Sequence, residues 1–182
     1  IISKLILRSQ LRDLKKIKKI YNPAYNDTQF LNENGISKVS YLPMIWRDES
    51  ISTLVEKPKS SELVNVLLSV GNIANTSNNL VYKTFLKEIA PHLKNSSMKF
   101  RFHIVGGGSF RTKSIKNALE DAGVEVHGFV EDIESFMQSM DVALILNCYT
   151  KFVVSHTRFL HCWEQSLPVI CLPETKKAMP EI

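Results

Sequence analysis

The feature that most constrains this chain is a regular alternation of strand and helix patterns in its second part. Near-continuous apolar runs, rich in β-branched residues, occur at 63–70, 100–105, 124–127, 141–146 and 168–172. Helical patterns lie between or before them, near 80–93, 113–122, 133–140 and 156–165. Apolar strands separated by helices are typical of a parallel sheet that is covered on both faces. The sequence therefore predicts an α/β fold with a doubly wound parallel sheet.

Glycines mark the ends of these predicted strands. Six of the seven glycines lie between Gly71 and Gly128, and most of them directly follow a strand pattern. In an open parallel sheet the carboxyl ends of the strands form the crevice for ligands. Bare glycine amides beside a helix N-terminus favour an anionic group such as phosphate, which makes the triplet at 106–108 the strongest local signal. A tight turn that needs glycine for steric reasons alone is the alternative.

The glycine triplet does not match two common nucleotide-binding motifs. It is not a P-loop, because no Gly-Lys-Ser/Thr follows it. It also lacks the Gly-x-Gly-x-x-Gly spacing, since Phe110 and Arg111 occupy the later positions. The dinucleotide fingerprint belongs after the first strand of its fold, where this chain has Gly71 and Asn72. The pattern argues against a nicotinamide-dependent enzyme.

Positive charge is concentrated at the start of the chain. Residues 1–20 contain seven basic residues and one acidic residue, whereas the rest has 16 basic and 17 acidic residues. Apolar residues recur there at near-helical spacing, which predicts an amphipathic helix. Its apolar side is expected to pack on protein, with peripheral contact to anionic lipid headgroups as the alternative. Nucleic acid is not an expected partner, because no aromatic residues interleave with these charges.

Cysteine usage and hydropathy indicate the compartment. Cys148, Cys162 and Cys171 form no Cys-x-x-Cys pair, which fits a reducing environment and argues against a disulfide framework or a zinc site. His156 and His161 do not share a helical face, so no metal site and no cofactor are expected. No apolar run reaches the roughly 18 residues of a membrane-spanning helix. We therefore expect a cytoplasmic protein, with peripheral contact at the inner membrane face as the alternative.

Composition also predicts domain boundaries. The polar stretch 46–62 is predicted to link an N-terminal fragment at 1–45 to a domain at 63–182. Both ends of the sequence look like cuts through a longer protein, so this domain is expected to be truncated. Within the N-terminal fragment, Asn26 or Asp27 is predicted to cap a short helix.

Five landmarks of the predicted α/β part follow one another in a specific order. They are Gly71-Asn72, Ile104-Val105-Gly106-Gly107-Gly108, Val126-His127-Gly128-Phe129-Val130, and the stretches 140–146 and 166–170. In this order the chain resembles the C-terminal, donor-binding half of GT-B glycosyltransferases of group 1 (GT4-like). The resemblance covers about 63–182. It implies a Rossmann-like half-domain that holds a nucleotide-diphosphate sugar, with the acceptor on an N-terminal half and catalysis between the two.

The resemblance implies donor contacts from the loops that follow the strands. The diphosphate or the transferred sugar would lie near Gly71 and Asn72. The nucleotide pocket would be lined by Gly106 and Gly107. The base would meet the backbone of Gly128, Phe129 and Val130, with the Phe129 ring as a wall.

A fourth loop and the helix after it would face the diphosphate in the same way. The implied residues are Val153, Val154, Ser155, His156 and Thr157. The helix N-terminus favours negative charge there, and Ser155 or Thr157 would add a hydroxyl contact. Arg158 would contact phosphate in a bidentate manner, with a surface ion pair as the equal alternative.

The chain departs from the family pattern at two places. Two glutamates that many members carry are replaced by Val153 and His161, of which His161 still offers a ribose contact. A basic pair after the first strand is not evident, and the loop has asparagines at 72, 75, 78 and 79, with Lys83 as a later substitute. The stretch 157–160 with Trp163 resembles a subgroup of the family, so the departures are expected to mark a subfamily. Trp163 itself is predicted to pack in the core.

The resemblance implies a glycosyltransferase fragment of the hexosyltransferase type that is inactive on its own. It would bind a nucleotide-diphosphate sugar and transfer the sugar with retention to an unknown acceptor: a glycan, a lipid-linked sugar or a protein. No catalytic residue is assigned, because the general base would come from the other half. A non-catalytic GT-B-like module for partner binding and a GT-B sugar-nucleotide epimerase are the alternatives.

Overall fold

The computed structural model describes residues 2–43, 62–93, 95–146 and 157–180. The chain divides into two compact units. Of the described residues, the first unit holds 2–43 and 173–180, and the second holds 62–93, 95–146 and 157–172. The predicted linker at 46–62 lies outside the described residues except for Glu62. The segment 173–180 belongs to the first unit, whereas the sequence prediction placed it in the second.

The first unit contains a two-stranded parallel sheet. Its elements are α1 (Ile2–Leu14), β1 (Ile20–Asn22), α2 (Tyr25–Glu33), β2 (Val39–Tyr41) and a 3-10 turn (Pro173–Lys177). The amide N–H of Tyr25 donates to the carbonyl of Ala178 over 2.9 Å, which ties the C-terminal segment to α2. The predicted cap of α2 is wrong: the helix begins at Tyr25, before Asn26 and Asp27, and its N-cap is Ala24.

Helix α1 confirms that a helix forms in the basic segment. Its apolar residues Ile6 and Leu7 have exposed fractions of 54% and 40%. Peripheral contact of this segment with lipid stays a prediction. Among the residues that the structure describes, every helix is too short or too polar to traverse a bilayer.

The second unit is built on a five-stranded sheet whose strand pairs are all parallel. Its strands are β3 (Leu63–Val70), β4 (Lys99–Val105), β5 (Val124–Val126), β6 (Val142–Ile145) and β7 (Val169–Cys171). Its helices are α3 (Thr76–Thr84), a π-helical turn (Phe85–Ile89), α4 (Ala90–Leu93), α5 (Lys113–Asp121), α6 (Ile133–Gln138) and α7 (Thr157–Glu164).

Helices cover both faces of this sheet. On β3 the side chain of Leu68 joins a core with Tyr82 of α3 and Leu119 of α5. The adjacent Leu67 points to the other face and joins a core with Met137 of α6 and Cys162 of α7. Because successive side chains alternate between two apolar layers, the strand has no polar side. The predicted doubly wound, Rossmann-like sheet is confirmed.

The strand order β5-β4-β3-β6-β7 contains a topological switch point. The chain adds β4 and β5 on one side of β3 and then returns to add β6 and β7 on the other. In such sheets a crevice opens at the carboxyl ends of the two strands where the order reverses, here β3 and β6. The loops that follow these strands are therefore the place to look for a ligand site.

Candidate functional site

Three glycine-containing loops meet at the carboxyl edge of the sheet. The amide N–H of Gly71 donates to the carbonyl of Val105 over 2.9 Å, and that of Gly106 donates to the carbonyl of Gly128 over 2.6 Å. The loops after β3, β4 and β5 are therefore joined to one another by backbone hydrogen bonds. The prediction that these glycines leave their amides bare for phosphate is wrong for Gly71 and Gly106, because both amides are already used. Gly107 differs from these two glycines. Its carbonyl accepts from the amide of Ile73 over 3.0 Å, and its own amide N–H donates none of the backbone hydrogen bonds between the described residues.

A cavity of about 420 Å³ lies against these loops. It is lined by Val70, Gly71, Asn72, Val105, Gly106, Gly107, Phe129, Val130, Glu131 and Ile133. The Phe129 side chain is 81% exposed, although a large aromatic residue is normally covered. Its position at the cavity wall gives a flat apolar surface on which a planar ring can stack.

A second cavity of about 240 Å³ lies on the α7 side of the sheet. Thr157, Arg158 and His161 line it, together with residues of β3, α6 and β6. Val70 and Ile133 line both cavities, so the two adjoin at the end of β3. The structure therefore distributes the predicted site residues over two neighbouring cavities.

A buried asparagine side chain orients Arg158. One guanidinium nitrogen donates to Asn78 Oδ1 over 2.5 Å, and Asn78 Nδ2 donates to the carbonyl of Asn72 over 2.8 Å. Asn78 is only 1% exposed, so this amide is fixed in the protein interior. The chain of bonds connects the loop after β3 to the first turn of α7. Arg158 therefore lines the smaller cavity with one guanidinium nitrogen held by Asn78, and its bidentate phosphate contact and the alternative surface ion pair both stay predictions.

Two buried hydroxyl groups lie near Arg158. Ser69 and Tyr82 are 3% and 1% exposed, and within the described part of the chain neither hydroxyl oxygen completes a hydrogen bond. Burial raises the pKa of Tyr82, while the nearby Ser69 hydroxyl and the Arg158 charge oppose this. An unsatisfied buried hydroxyl costs about 1–3 kcal/mol. Since Ser69 lines the smaller cavity, a polar ligand group or water there relieves that cost.

The thiol of Cys162 lines the smaller cavity but is not a nucleophile. Burial raises its pKa to about 11, against a smaller opposing effect of the Arg158 charge. Only the thiolate attacks, so a thiol with this pKa is inert at neutral pH.

Several predicted site residues do not line either cavity. Gly128 contributes its carbonyl to the bond with Gly106 and is not part of the lining. Lys83, the suggested substitute for the basic pair, is exposed on α3 and lines neither cavity. The remaining predicted contacts lie outside the described residues, namely Val153, Val154, Ser155 and His156.

The asparagines that stand in place of the family's basic pair form hydrogen bonds to the backbone of the loop and of α3. Asn75 caps α3 by accepting from the amide of Ser77 over 3.0 Å, and Asn72 Oδ1 accepts from the amide of Ala74 over 2.9 Å. Trp163 is 47% exposed, with its ring centroid 5.7 Å from that of Phe159, so the prediction that it belongs to the core is wrong.

Arg111 is a residue that the sequence analysis did not assign to the site, and it connects the loop after β4 to the loop after β3. Its guanidinium donates to the carbonyl of Ala74 over 2.9 Å and to Thr76 Oγ1 over 2.7 Å. The signal was available, since Arg111 closely follows the glycine triplet.

A family model for the group 1 glycosyl transferases matches residues 64–182. The chain belongs to this family. The match covers the described part of the second unit from Val64 onward, including every residue that lines the two cavities. A comparison with curated protein sequences finds no match.

Solved structures of glycosyltransferases share this fold. TarM of S. aureus is 14% identical with a TM-score of 0.56, over 89% of this chain and 31% of TarM. HepE of Anabaena is 13% identical with a TM-score of 0.60, over 91% of this chain and 47% of HepE. The pneumococcal O-GlcNAc transferase GtfA is 14% identical with a TM-score of 0.58, over 91% of this chain and 32% of GtfA. These likenesses confirm the GT-B architecture, and the chain spans about a third to a half of each relative.

Proposed function

We propose that this chain is the donor-binding part of a glycosyltransferase and holds a nucleotide-diphosphate sugar at the carboxyl edge of its sheet. The observation that carries the proposal is the pair of adjoining cavities at the switch point. One has the exposed ring of Phe129 at its wall, and the other has the oriented guanidinium of Arg158. A planar base fits the first environment, and a diphosphate fits the second.

The chemistry of sugar transfer explains why a cation belongs in this cleft. When the bond between the sugar and the nucleoside diphosphate breaks, negative charge develops on the leaving phosphate oxygen. Positioned donors stabilise that charge without reorganising during the reaction. In our proposal Arg158 and the N-terminus of α7 supply this stabilisation, with the amide of Gly107 as a further donor. Retention of the anomeric configuration and transfer to an acceptor on the other half are proposed on the family resemblance.

Uracil is the base that we propose. HepE was solved with UDP and glucose, and GtfA was solved with UDP and GlcNAc. Both proteins share the fold of this chain at low sequence identity. They therefore support UDP as the first nucleotide to test.

A non-catalytic module is the second candidate. It is favoured by one specific observation: the asparagines in place of the family's basic pair are used in helix capping and loop bonding and bring no positive charge to the cleft. A module kept for partner binding has no need of a nucleotide. Binding of UDP therefore separates the two candidates.

The test is the affinity of the chain for UDP, GDP and ADP, measured by calorimetry and by thermal shift. We expect UDP to bind and to raise the melting temperature, since a ligand of the native state stabilises it. Loss of a charged hydrogen bond costs about 1.5–3 kcal/mol, so Arg158→Ala is expected to weaken UDP binding about 10- to 100-fold.

Arg12→Ala is the matched control, because it removes the same charge from the exposed surface of α1. We expect it to leave the affinity for UDP unchanged. Equal weakening by both variants indicates general attraction of an anion to a basic protein and contradicts the role of Arg158. Absence of binding by all three nucleotides favours the non-catalytic module.

A further inference from the structure

Three titratable side chains that the proposed function does not use meet on one face of the sheet. His103 lies on β4 and pairs in register with Glu125 of β5. His127 directly follows β5, and its amide N–H donates to the carbonyl of Ile104 over 3.0 Å, so the extended pairing continues and places His127 on the same face as Glu125. His103 is 5% exposed, so one imidazole of this cluster is held in the interior. We call these three residues the His-Glu cluster.

The distances within the His-Glu cluster are close to those of a metal site. His103 Nδ1 lies 2.9 Å from His127 Nε2, and Glu125 Oε2 lies 3.7 Å from each of these nitrogens. Tetrahedral zinc with bonds of about 2.0–2.1 Å requires its ligand atoms to be about 3.3 Å apart. Each of the three distances therefore needs to change by only about 0.4 Å to accept an ion.

Outer partners orient two of the three ligands. His103 Nε2 lies 3.3 Å from Asn65 Oδ1, and in the tautomer with its proton on Nε2 the lone pair of Nδ1 faces the cluster. Arg101 Nε lies 3.2 Å from Glu125 Oε1, which leaves Oε2 directed at the imidazoles. The Phe136 ring packs edge-on against both histidines, with centroids 5.9 Å from His103 and 4.9 Å from His127. An apolar wall of this kind limits water on one side of a site.

We propose that His103, Glu125 and His127 bind one divalent ion of the zinc class, with water as the fourth ligand. Two imidazole nitrogens and one carboxylate oxygen are a ligand set that zinc accepts. The ion ties β4 to β5 immediately before Gly128, whose carbonyl bonds to Gly106 in the larger cavity. This proposal stands independently of the nucleotide proposal, because none of its residues contacts either cavity.

Calorimetric titration of the metal-free chain with ZnCl₂ tests the proposal, and Co²⁺ absorption reports the coordination geometry. We expect one high-affinity ion per chain and the visible bands of tetrahedral Co²⁺. His127→Gln and Glu125→Gln are each expected to weaken Zn²⁺ binding at least tenfold. Asn65→Ala is expected to weaken it about 10- to 100-fold through the orientation of His103. Circular dichroism of each variant confirms that the fold is intact.

His92→Gln is the matched control, because His92 is exposed on α4 and outside the His-Glu cluster. It is expected to bind Zn²⁺ as the unchanged protein does. The proposal is overturned if the unchanged protein binds no Zn²⁺, or if His127→Gln and Glu125→Gln bind it with unchanged affinity. The second result shows that other histidines or cysteines of the chain hold the ion.

Discussion

Gly106 is the residue whose geometry constrains the candidate site most tightly. Its φ is +144°, and a Cβ built there lies 1.7 Å from the carbonyl oxygen of Gly71. Gly107 is its matched neighbour, since a Cβ there meets nothing within 4 Å. The close approach of the loops after β3 and β4 therefore depends on the missing side chain of Gly106 and not on that of Gly107.

We expect Gly106→Ala to lower the free energy of unfolding by at least about 3 kcal/mol, because it adds a strained φ to a backbone clash. Gly107→Ala is expected to change it by less than about 1 kcal/mol. Urea denaturation of both variants measures the difference. Similar stabilities for the two variants contradict the packing of these loops.

The glycine loops were predictable from the sequence, but the use of their amides was not. Strand patterns followed by glycine place Gly71, Gly106 and Gly107 at one sheet edge by a general rule of parallel sheets. Which amide is free depends on how neighbouring loops pair. The amide of Gly106 bonds to the carbonyl of Gly128, which is 22 residues away in the chain, so no local sequence pattern reveals this bond.

The same limit explains the two side-chain arrangements that sequence reasoning missed. Arg158 and Asn78 are 80 residues apart, and His103 and His127 are 24 residues apart. His156 and His161 lie close together in sequence, whereas His103 and His127 do not. Neighbouring strands bring together residues that are distant in the chain, and only the strand register reveals which ones meet.

Helix α6 lies beside both cavities, because Ile133 in its first turn lines each of them. The helix has six residues and is too short to be stable alone, so its start depends on a cap. Asp132 Oδ1 accepts from the amide of Ser135 over 2.9 Å, and Oδ2 accepts from its hydroxyl over 2.6 Å. These bonds lower the pKa of Asp132, with the bond from the hydroxyl as the main cause.

The stability that Asp132 provides is expected to depend on pH. Because its folded-state pKa lies below its ordinary value of 3.8, the ionised cap stabilises the fold above that value. This stabilisation is lost as the pH falls through the folded-state pKa. We expect Asp132→Asn to have a lower urea midpoint than the unchanged protein at pH 7, and the gap to shrink toward pH 3. Glu134→Gln, which removes a charge from the same turn, serves as the control, and a gap that is constant with pH contradicts the role of the cap.

At the scale of elements, the strands of the five-stranded sheet were predictable, including the three-residue β5 and β7, whereas β1 and the polar start of α3 were not. β3 is a mostly apolar run, β4 alternates polar and apolar residues before it ends in Ile-Val, and the structure confirms both strands. β1 has three residues, which is too few to show a period. α3 begins at Thr76, earlier than predicted, because its first turn is a polar Thr-Ser-Asn-Asn stretch that the Asn75 cap stabilises.

At the scale of the whole molecule, the order of the sheet explains why the family resemblance was informative. The sequence order of five landmarks maps onto five parallel strands, and the switch point lies between β3 and β6. The boundary at Pro173 was not predictable, because the segment after it is held by the backbone of α2 and not by a change in composition. The central claim is that the carboxyl edge of this sheet binds a nucleoside diphosphate.

Amide NMR spectra of the chain titrated with UDP test that claim most directly. We expect the largest shift changes at Gly107, Phe129 and Thr157, which line the two adjoining cavities. Lys99 and Gly123 line a separate cavity at the opposite edge of the sheet and are the internal controls. Shift changes that are confined to this opposite edge, or no change with UDP anywhere, contradict the account.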